Sequence, residues 1–334
     1  MTFSPALDRP KGKAYFLFWR TVFVLLLAAS VLILWGASAT VEYTWRWNRV
    51  PQYFWYTETI EIHAGLEGEV RAIDQHPDGA TVVVVGPDGE ERHHVPQDSL
   101  KVRRGDMVFP GDTVAAFSRG KPGLLLEGLW ITLKVSILAI IAGIILGILT
   151  GLARISINPA LRWGAITYIE IIRGSPLLVQ IFLWYFVVGT VANQLLATWG
   201  GAPIDPMWYG VLALAVFTGA YVAEIVRAGI QSVHRGQMEA ARSLGLTYRQ
   251  AMARIILPQA LRRILPPLAG QFISLIKDSS LLGVISIREL TKASREVVSS
   301  SLQPFEVWIV CAILYLVLTF TLSLFVQYLE RKAI

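Results

Sequence analysis

Three pairs of opposite charges lie within or beside long apolar stretches of this sequence. They are Glu170 with Arg173, Glu224 with Arg227, and Lys277 with Asp278. A charged side chain at the centre of a bilayer costs about 2.5 to 3.5 kcal/mol on insertion scales, so it faces a partner, a cavity or the interface. Charges so placed favour solute translocation or helix pairing over catalysis, because no constellation of nucleophile and base accompanies them.

The spacing of these pairs separates them into two kinds. Members of the first two pairs are three residues apart, which puts them on one helical face where they can pair locally. Lys277 and Asp278 are adjacent, so a helix turns them about 100° apart and each needs a partner from another helix or subunit. Ser279, Ser280 and Gly283 follow and would let backbones approach closely. We therefore predict that Lys277 and Asp278 line a pore or a subunit interface.

The pair Glu224 and Arg227 has a simpler alternative. Glu224 and Arg227 fit equally well at a helix end on the cytoplasmic interface, where long side chains reach water. We assign Glu170 and Arg173 to the translocation path or its gate.

The segment that follows the first pair contains Gly174 and Pro176 at the start of an apolar stretch. One interpretation is irregular backbone beside a translocation site, which is tolerated at membrane depth only within protein or next to a cavity. The other is a plain helix start with proline in its first turn. Sequence leaves both open.

The composition indicates a membrane protein. Of 334 residues, 54% are hydrophobic and 16% charged, and the mean hydropathy is +0.52. The net charge of +6 is better explained by cytoplasmic Lys and Arg than by nucleic acid binding. The single cysteine, Cys311, excludes an intrachain disulfide.

A spanning helix needs about 20 mostly apolar residues. Scanning for that length predicts six crossings, near residues 17–39, 124–152, 165–197, 207–228, 261–286 and 305–328. The predicted fold class is therefore an all-α polytopic membrane protein.

Loop charge predicts the orientation. The N-terminal tail carries Arg9, Lys11, Lys13 and Arg20, which favours a cytoplasmic N-terminus, and six crossings return the C-terminus to the same side. The loop 287–304 is the exception, since it is placed outside although it holds three basic residues. The first crossing also resembles a secretory signal, but its apolar run exceeds the roughly 7 to 15 residues of a signal core, so we predict an uncleaved anchor.

Residues 41–122 predict a small extracytoplasmic β domain. The β-branched run from Ala80 to Val85 has turn-forming residues on both sides. The segment from Val102 to Phe117 contains two Gly-Asp turns and resembles barrel-sandwich hybrid domains, where glycine permits the turn and aspartate caps it. No lysine lies between these turns, so we interpret the domain as a scaffold or docking module. Four of the five histidines lie here, but their spacing matches no metal-ligand motif and we predict no metal site.

The basic loop at residues 239–258 predicts two short helices. Glu239, Ala240 and Ala241 begin the first, and Gly245 ends it with a left-handed turn. The small alanines are typical of a helix that fits into a groove on another protein.

The second helix of this loop starts at about Tyr248 and is amphipathic, with Pro258 closing it. Its apolar face comprises Ala251, Met252, Ile255 and Ile256. A helix lying on the membrane surface would explain this second piece, but not the small residues or the glycine of the first.

The triplet Glu239-Ala240-Ala241, then Gly245, then the run from Ile255 to Pro258 has the spacing of the EAA motif of binding-protein-dependent ABC importer permeases. Residues 124 to about 331 resemble the polar amino acid branch, similar to histidine and glutamine permeases. The resemblance implies a type I importer transmembrane fold at 123–334, preceded here by an extra helix within 1–40 and the β insert at 41–122.

The resemblance also implies partners. Glu239, Ala240, Ala241 and Gly245 would couple to a cytoplasmic ABC ATPase, an extracytoplasmic amino-acid-binding protein would supply substrate, and the chain would pair with itself or a sister permease. The sequence contains no G-x-x-x-x-G-K-[ST] loop, so ATP hydrolysis is expected in another subunit and no cofactor is predicted here. The alternative is a membrane-anchored scaffold or sensor whose β domain binds a ligand or partner, although a bare anchor needs neither an EAA loop nor intramembrane charges.

Overall fold

The computed structural model describes residues 12–40 and 43–333, which fall into two units that divide after Trp47. The tail residues Arg9 and Lys11, on which the predicted orientation partly depends, lie outside the described residues. In the first unit, α1 spans Lys13–Thr40 and most of its described side chains are exposed. The indole of Trp45 donates to Ser38 Oγ at 3.2 Å and covers the end of this helix.

The second unit contains a β-rich part followed by a helical part. The strands are β1 Trp55–His63, β2 Gly68–His76, β3 Gly79–Gly86, β4 Gly89–Val95, β5 Met107–Val108 and β6 Thr113–Pro122. The helices are α2 Leu124–Arg154, α3 Pro159–Arg173, α4 Leu177–Phe182, α5 Thr190–Thr198, α6 Pro206–Gln231, α7 Arg235–Ser243, α8 Tyr248–Ala251, α9 Leu257–Asp278, α10 Leu290–Ser301 and α11 Pro304–Ala333. Short 3₁₀ helices span Trp47–Tyr53, Gln97–Ser99 and Ser279–Ile285, and π-helical turns span Leu183–Gly189 and Met252–Ile256.

Six helical stretches among the described residues are long and apolar enough to cross a membrane, which confirms the predicted count. They are Lys13–Thr40, Leu124–Arg154, Leu177–Thr198, Pro206–Gln231, Tyr248–Ile285 and Pro304–Tyr328. The fifth continues without a break from the loop that contains α8 into α9.

The third crossing begins later than the predicted residue 165. Its first part is a separate helix, α3, which ends at Arg173, and the crossing starts at Leu177. Pro176 lacks an N–H and adopts an extended conformation at φ −63° and ψ 136°, which interrupts the helix. The buried Gln180 amide donates to Ile172 O at 2.8 Å and so satisfies a carbonyl that the interruption leaves free. The backbone is therefore interrupted between α3 and α4, and Pro176 stands immediately before α4, an arrangement that agrees with a helix start as well as with irregular backbone beside a translocation site.

The centre of the helical part is the parallel pair α2 and α6. Three glycines on α2, four residues apart, face α6, and an added Cβ would lie 3.1 Å from Thr218 at Gly143, 2.4 Å from Val222 at Gly147 and 2.9 Å from Val226 at Gly151. Because contacts advance together along both helices, the two run in the same direction. Strand β6 therefore ends at the start of this pair, whereas α7 follows its far end, about 45 Å away for the 31-residue α2.

The segment between the last two crossings is held by a buried carboxylate. Glu289 is fully buried and caps α10, accepting from the backbone N–H groups of Thr291 and Lys292 at 2.7 Å and from the Tyr315 hydroxyl at 3.0 Å. Burial raises the pKa of the Glu289 carboxyl, and these hydrogen bonds oppose that effect. Gly283 leaves the space that the carboxylate occupies.

The loop 287–304 was the exception to the predicted orientation, and some of its basic side chains are paired with a carboxylate. Glu296 accepts from Arg288 at 2.8 Å and lies 3.9 Å from Lys292. Part of the positive charge in a loop predicted to lie outside is thereby offset by a carboxylate of the same loop, which weakens its conflict with the positive-inside rule.

The β-rich part confirms the strand predicted from Ala80 to Val85. Strand β3 spans it, with Val82 and Val84 buried and the intervening residues partly exposed. The sheet order is β4-β3-β2-β5, antiparallel throughout. Valines of this sheet pack on β6 and form the core of the domain.

Both predicted Gly-Asp turns are present and built alike. Gly105 and Gly111 have φ values of +93° and +98°, in the region that favours glycine. The aspartate after each accepts from the backbone three residues earlier, Asp106 from the Arg103 N–H at 2.7 Å and Asp112 from the Phe109 N–H at 2.8 Å. These turns frame the two-residue strand β5.

A two-stranded ribbon joins this sheet to the helices. Strands β1 and β6 pair from Trp55 opposite Pro122 to His63 opposite Thr113, a length of about 27 Å at the usual strand rise. At its base the Tyr53 hydroxyl donates to Gln303 Oε1 at 3.1 Å, beside a buried cluster of α2, α10 and α11 residues. The Trp55 ring covers Gly120, where a Cβ would meet the indole. The ribbon therefore holds the four-stranded sheet away from the helical part.

Candidate functional site

The first helix of the basic loop, α7, starts four residues earlier than predicted. It begins at Arg235 instead of Glu239, because His234 caps it and its Nδ1 accepts from the Gly236 N–H at 3.1 Å. Glu239 and Ala240 are exposed, as a surface for another protein requires. Ala241 is 1% exposed, so its small size serves packing within this chain and not an outer groove.

Gly245 ends α7 with the predicted left-handed turn, at φ +82°. The Leu246 N–H donates to Ala241 O at 3.2 Å and the Gly245 N–H to Arg242 O at 3.0 Å, the paired bonds of a Schellman motif. A Cβ at Gly245 would meet nothing, so glycine is required by the backbone alone. Leu244 next to it is 81% exposed, an apolar side chain that a partner would cover.

The second helix starts at Tyr248 as predicted, and Thr247 with Gln250 forms a capping box before it. The predicted apolar face is confirmed, with Ala251 and Ile256 buried. Pro258 does not close this helix. A π-helical turn, in which the Leu257 N–H donates to Met252 O, accommodates the proline and carries the chain on into α9.

The two short helices are fastened to the crossings behind them. Residues of α6, the π turn and α9 form one buried cluster against which Met238 of α7 packs. The Arg263 guanidinium of α9 donates to Ser232 O at the end of α6, and Gln259 donates to Gln237 of α7 at 3.3 Å. A displacement of α7 would therefore be passed to α6 and α9 directly.

Glu224 and Arg227 pair as the spacing predicted, near the end of α6. Arg227 Nε donates to Glu224 Oε1 at 2.8 Å. Arg154, the last residue of α2, lies 2.9 Å from the other carboxylate oxygen. Sequence reasoning missed this third member, and the only signal was that Arg154 ends a crossing predicted to finish on the same side of the membrane.

Glu170 and Arg173 do not pair with each other, contrary to the prediction from their spacing. The Arg173 guanidinium lies over the ring of Tyr221, 5.3 Å from its centroid, because α3 crosses α6 at this point. Tyr168 fixes the crossing by donating to Val216 O at 2.5 Å, and burial raises the pKa of its hydroxyl to about 12. Glu170 is exposed.

Lys277 and Asp278 are the last residues of α9 and point in different directions. Lys277 is exposed and lines a cavity of about 260 Å³ with Trp308 and Tyr315 of α11. Asp278 is half-buried. Within the described part of the chain neither has an ion-pair partner on another helix, so of the two predicted sources only a second subunit remains as a prediction.

Of the histidines of the β-rich part, His76 and His94 have ring centroids 6.4 Å apart, and the others lie elsewhere. His93 lies 3.3 Å from Glu91, while the adjacent His94 is on the other face beside Thr81. In the chain as described, no group of three or more His, Cys, Asp or Glu side chains is placed to hold a metal ion.

The region of this chain that matches known proteins is its helical part. Residues 143–334 match the family described as binding-protein-dependent transport system inner membrane component. This chain belongs to that family. The extra helix α1 and the β-rich part lie outside the matched residues, so the family accounts for the part that carries α7 and the charged clusters.

Individual similar proteins are permeases or ABC transporters. The probable glutamine ABC transporter permease protein GlnM of Bacillus subtilis is 43% identical over 63% of this chain and 93% of its own length. The glutamine transport system permease protein GlnP of Escherichia coli K12 is 39% identical over 63% of this chain and 92% of its own. A crystal structure of an amino acid ABC transporter with histidines aligns at a TM-score of 0.56 and 41% identity, covering 63% of this chain and 94% of that one.

Proposed function

We propose that this chain is the transmembrane permease subunit of an ATP-driven importer that moves polar amino acids across the bacterial cytoplasmic membrane by alternating access. The observation that carries the proposal is the exposed surface of α7, which ends in a glycine-dependent turn and is fastened to α6 and α9. The names of the similar permeases support amino acids, and glutamine is the first substrate to test.

In this proposal α7 and α8 lie in the cytoplasm and Glu239, Ala240 and Gly245 face a groove of an ABC ATPase. Closure of the ATPase on ATP would favour one membrane conformation, because a ligand shifts an equilibrium only by its differential affinity for the two states. Ala241 belongs to the same helix, but its side chain is buried and packs α7 against the rest of this chain. The β-rich part is extracytoplasmic, which agrees with the position of α7 and the ribbon at opposite ends of α2 and α6. The basic N-terminal tail and the even number of crossings support cytoplasmic N- and C-termini.

We assign four charged residues to the translocation path or its gate: Glu170, Arg173, Lys277 and Asp278. A second permease subunit, identical or related, supplies the partner that Lys277 and Asp278 lack. Changing Lys277 to Met or Asp278 to Asn is expected to abolish amino acid uptake into proteoliposomes while the ATPase still copurifies. Normal uptake in both variants would remove these residues from the path.

For the β-rich part we propose docking or spacing of the extracytoplasmic binding protein. The 27 Å estimate for the ribbon is the support, since it raises the four-stranded sheet to a height at which a soluble protein could rest against it.

The coupling surface is tested by adding bulk where the backbone tolerates it. Ala240→Trp places a large ring on the exposed face of α7 without strain, and we expect loss of ATPase copurification and uptake. Ala253→Trp is the matched control, because Ala253 is an exposed helical alanine on the second piece. Retention of the ATPase by Ala240→Trp would contradict the proposed docking, whereas loss in both variants would show only that the loop tolerates no tryptophan.

A further inference from the structure

A cavity of about 530 Å³ lies between the end of α3, the last turns of α6 and the first turns of α9. Its lining residues are Arg173, Tyr221, Glu224, Ile225, Ala228, Gly229, Ser232, Arg263 and Pro267. Pockets of this size hold small molecules. It is open at the surface, since Arg173, Ser232 and Arg263 are exposed, and it is separate from the cavity beside Lys277.

The charges of this cavity do not balance. Its one carboxylate, Glu224, is already bridged by Arg154 and Arg227 from behind. The two lining guanidiniums, Arg173 and Arg263, have no carboxylate within ion-pair distance among the described residues. The lining therefore holds two guanidiniums without an ion-pair partner and one carboxylate whose charge is already offset, so net positive charge faces the cavity.

Both uncompensated guanidiniums are held in place by neutral groups. Arg173 lies over the Tyr221 ring, and Arg263 donates to the Ser232 carbonyl. These contacts restrain each side chain and leave further N–H groups for a ligand, because a guanidinium has five donors in a fixed plane. Planar donors of this kind match a carboxylate, which can accept two parallel hydrogen bonds.

We infer that this cavity binds the carboxylate of an amino acid, held between Arg173 and Arg263, at the end of the membrane domain that carries α7. The inference rests on the proposed import of amino acids and adds Arg263 and Tyr221 to the residues that act on the solute. Glu224 would not compete with the ligand carboxylate for Arg173 or Arg263, because Arg154 and Arg227 already offset its charge. The site therefore discriminates a free carboxylate from an uncharged carboxamide at the same carbon.

The test measures binding of radiolabelled L-glutamine to the permease purified in detergent with its ATPase, without nucleotide. Unlabelled L-glutamine should displace the label, and L-glutamine α-amide, which lacks the carboxylate, should do so at least about tenfold more weakly. In Arg173→Gln and Arg263→Gln we expect weaker L-glutamine binding by about the same factor and loss of the preference for the acid over the amide. Arg173→Lys and Arg263→Lys should restore part of that preference.

Arg262→Gln is the matched control, because Arg262 is exposed on the same turn of α9 and does not line the cavity. A merely structural role for the two arginines would weaken the acid and the amide equally, and that result would overturn the inference. So would absence of L-glutamine binding to the wild-type complex, or loss of a copurifying phospholipid from the variants with unchanged L-glutamine binding. If the ATPase copurifies in each of these cases, the proposed function survives while the carboxylate site does not.

Discussion

The contacts that stabilise the β-rich part differ from those that stabilise the helical part in how far apart in sequence the contacting residues lie. In the sheet, Val82 and Val84 alternate with partly exposed neighbours and pack on adjacent strands, so the pattern that makes a strand also makes its core. In the helices, the decisive contacts join residues far apart in sequence, such as Arg154 with Glu224 and Glu289 with Tyr315. The consecutive strands β2, β3 and β4 are therefore specified mainly by local pattern, whereas the helical part depends on pairing across helices, as the ribbon depends on pairing of β1 with β6.

This difference has a consequence for function. The ribbon connects the two regions through one pair of strands and a small base near Tyr53 and Gln303. The charged clusters and α7 belong wholly to the helical part, so we expect the four-stranded sheet to be separable from the coupling machinery. Changes in the helices should affect the whole protein, and changes in the sheet should affect a single step.

The largest effect is expected where α2 and α6 meet. Gly147→Ala would push a methyl group into Val222, and overpacking of this kind costs typically about 1 to 3 kcal/mol. We expect a clearly lower midpoint of thermal denaturation in detergent and loss of uptake. Gly270→Ala is the matched control, because Gly270 is also helical but a Cβ there meets nothing. Equal midpoints for the two variants would mean that the glycines do not set the close approach of these helices.

The second prediction separates the sheet from the ribbon. Residues 64–112 are replaced by Asn-Gly, which joins His63 to Thr113 where they already face each other and closes the ribbon as a hairpin. We expect uptake driven by the binding protein to fall severalfold while the ATPase still copurifies and hydrolyses ATP.

A matched variant of that experiment keeps the sheet and alters one of its turns. Asp112→Ala removes the bond to the Phe109 N–H and should leave uptake nearly unchanged if docking uses the sheet as a whole. Unchanged uptake after removal of residues 64–112 would show that the sheet has no part in import, and the proposal of docking or spacing would then fail.

Features that depend on neighbouring residues could be predicted from the sequence, and contacts between distant residues could not. The left-handed turn at Gly245 and the two Gly-Asp turns depend on neighbouring residues, and all were predicted. The pairing of Glu170 with Arg173 was wrong, because an aromatic ring on α6 offers Arg173 another contact that spacing cannot reveal. The start of α7 was misplaced because a histidine cap is a weak signal.

Ala241 shows the limit of motif-based prediction. The motif marks it as part of a docking surface, yet it is buried within the chain while Ala240 beside it is exposed. Which face of a short helix turns inward depends on the residues of α6 and α9 behind it. The sequence therefore predicted which segment makes the coupling surface but not which of its side chains reach a partner.

The smallest effect expected is a pH dependence of stability that belongs to the helical part alone. Burial raises the pKa of Glu289 in the folded protein, so the folded state holds this proton more tightly than the unfolded chain does. Stability should then fall as pH rises from the ordinary glutamate pKa through the raised one. Thermal midpoints measured from roughly pH 4 to 8 should show this slope in the wild type, and Glu289→Gln should flatten it.

The corresponding change in the β-rich part is Glu58→Gln on the ribbon. Glu58 bonds to Lys121, and that hydrogen bond raises the pKa of the lysine. A lysine with a raised pKa contributes stability that is complete below its ordinary value and is lost only at alkaline pH, so this variant should leave the acidic slope intact. If Glu58→Gln flattened the slope and Glu289→Gln did not, the titrating group would lie in the exposed ribbon, and the buried Glu289 carboxyl would not be the source of the pH dependence.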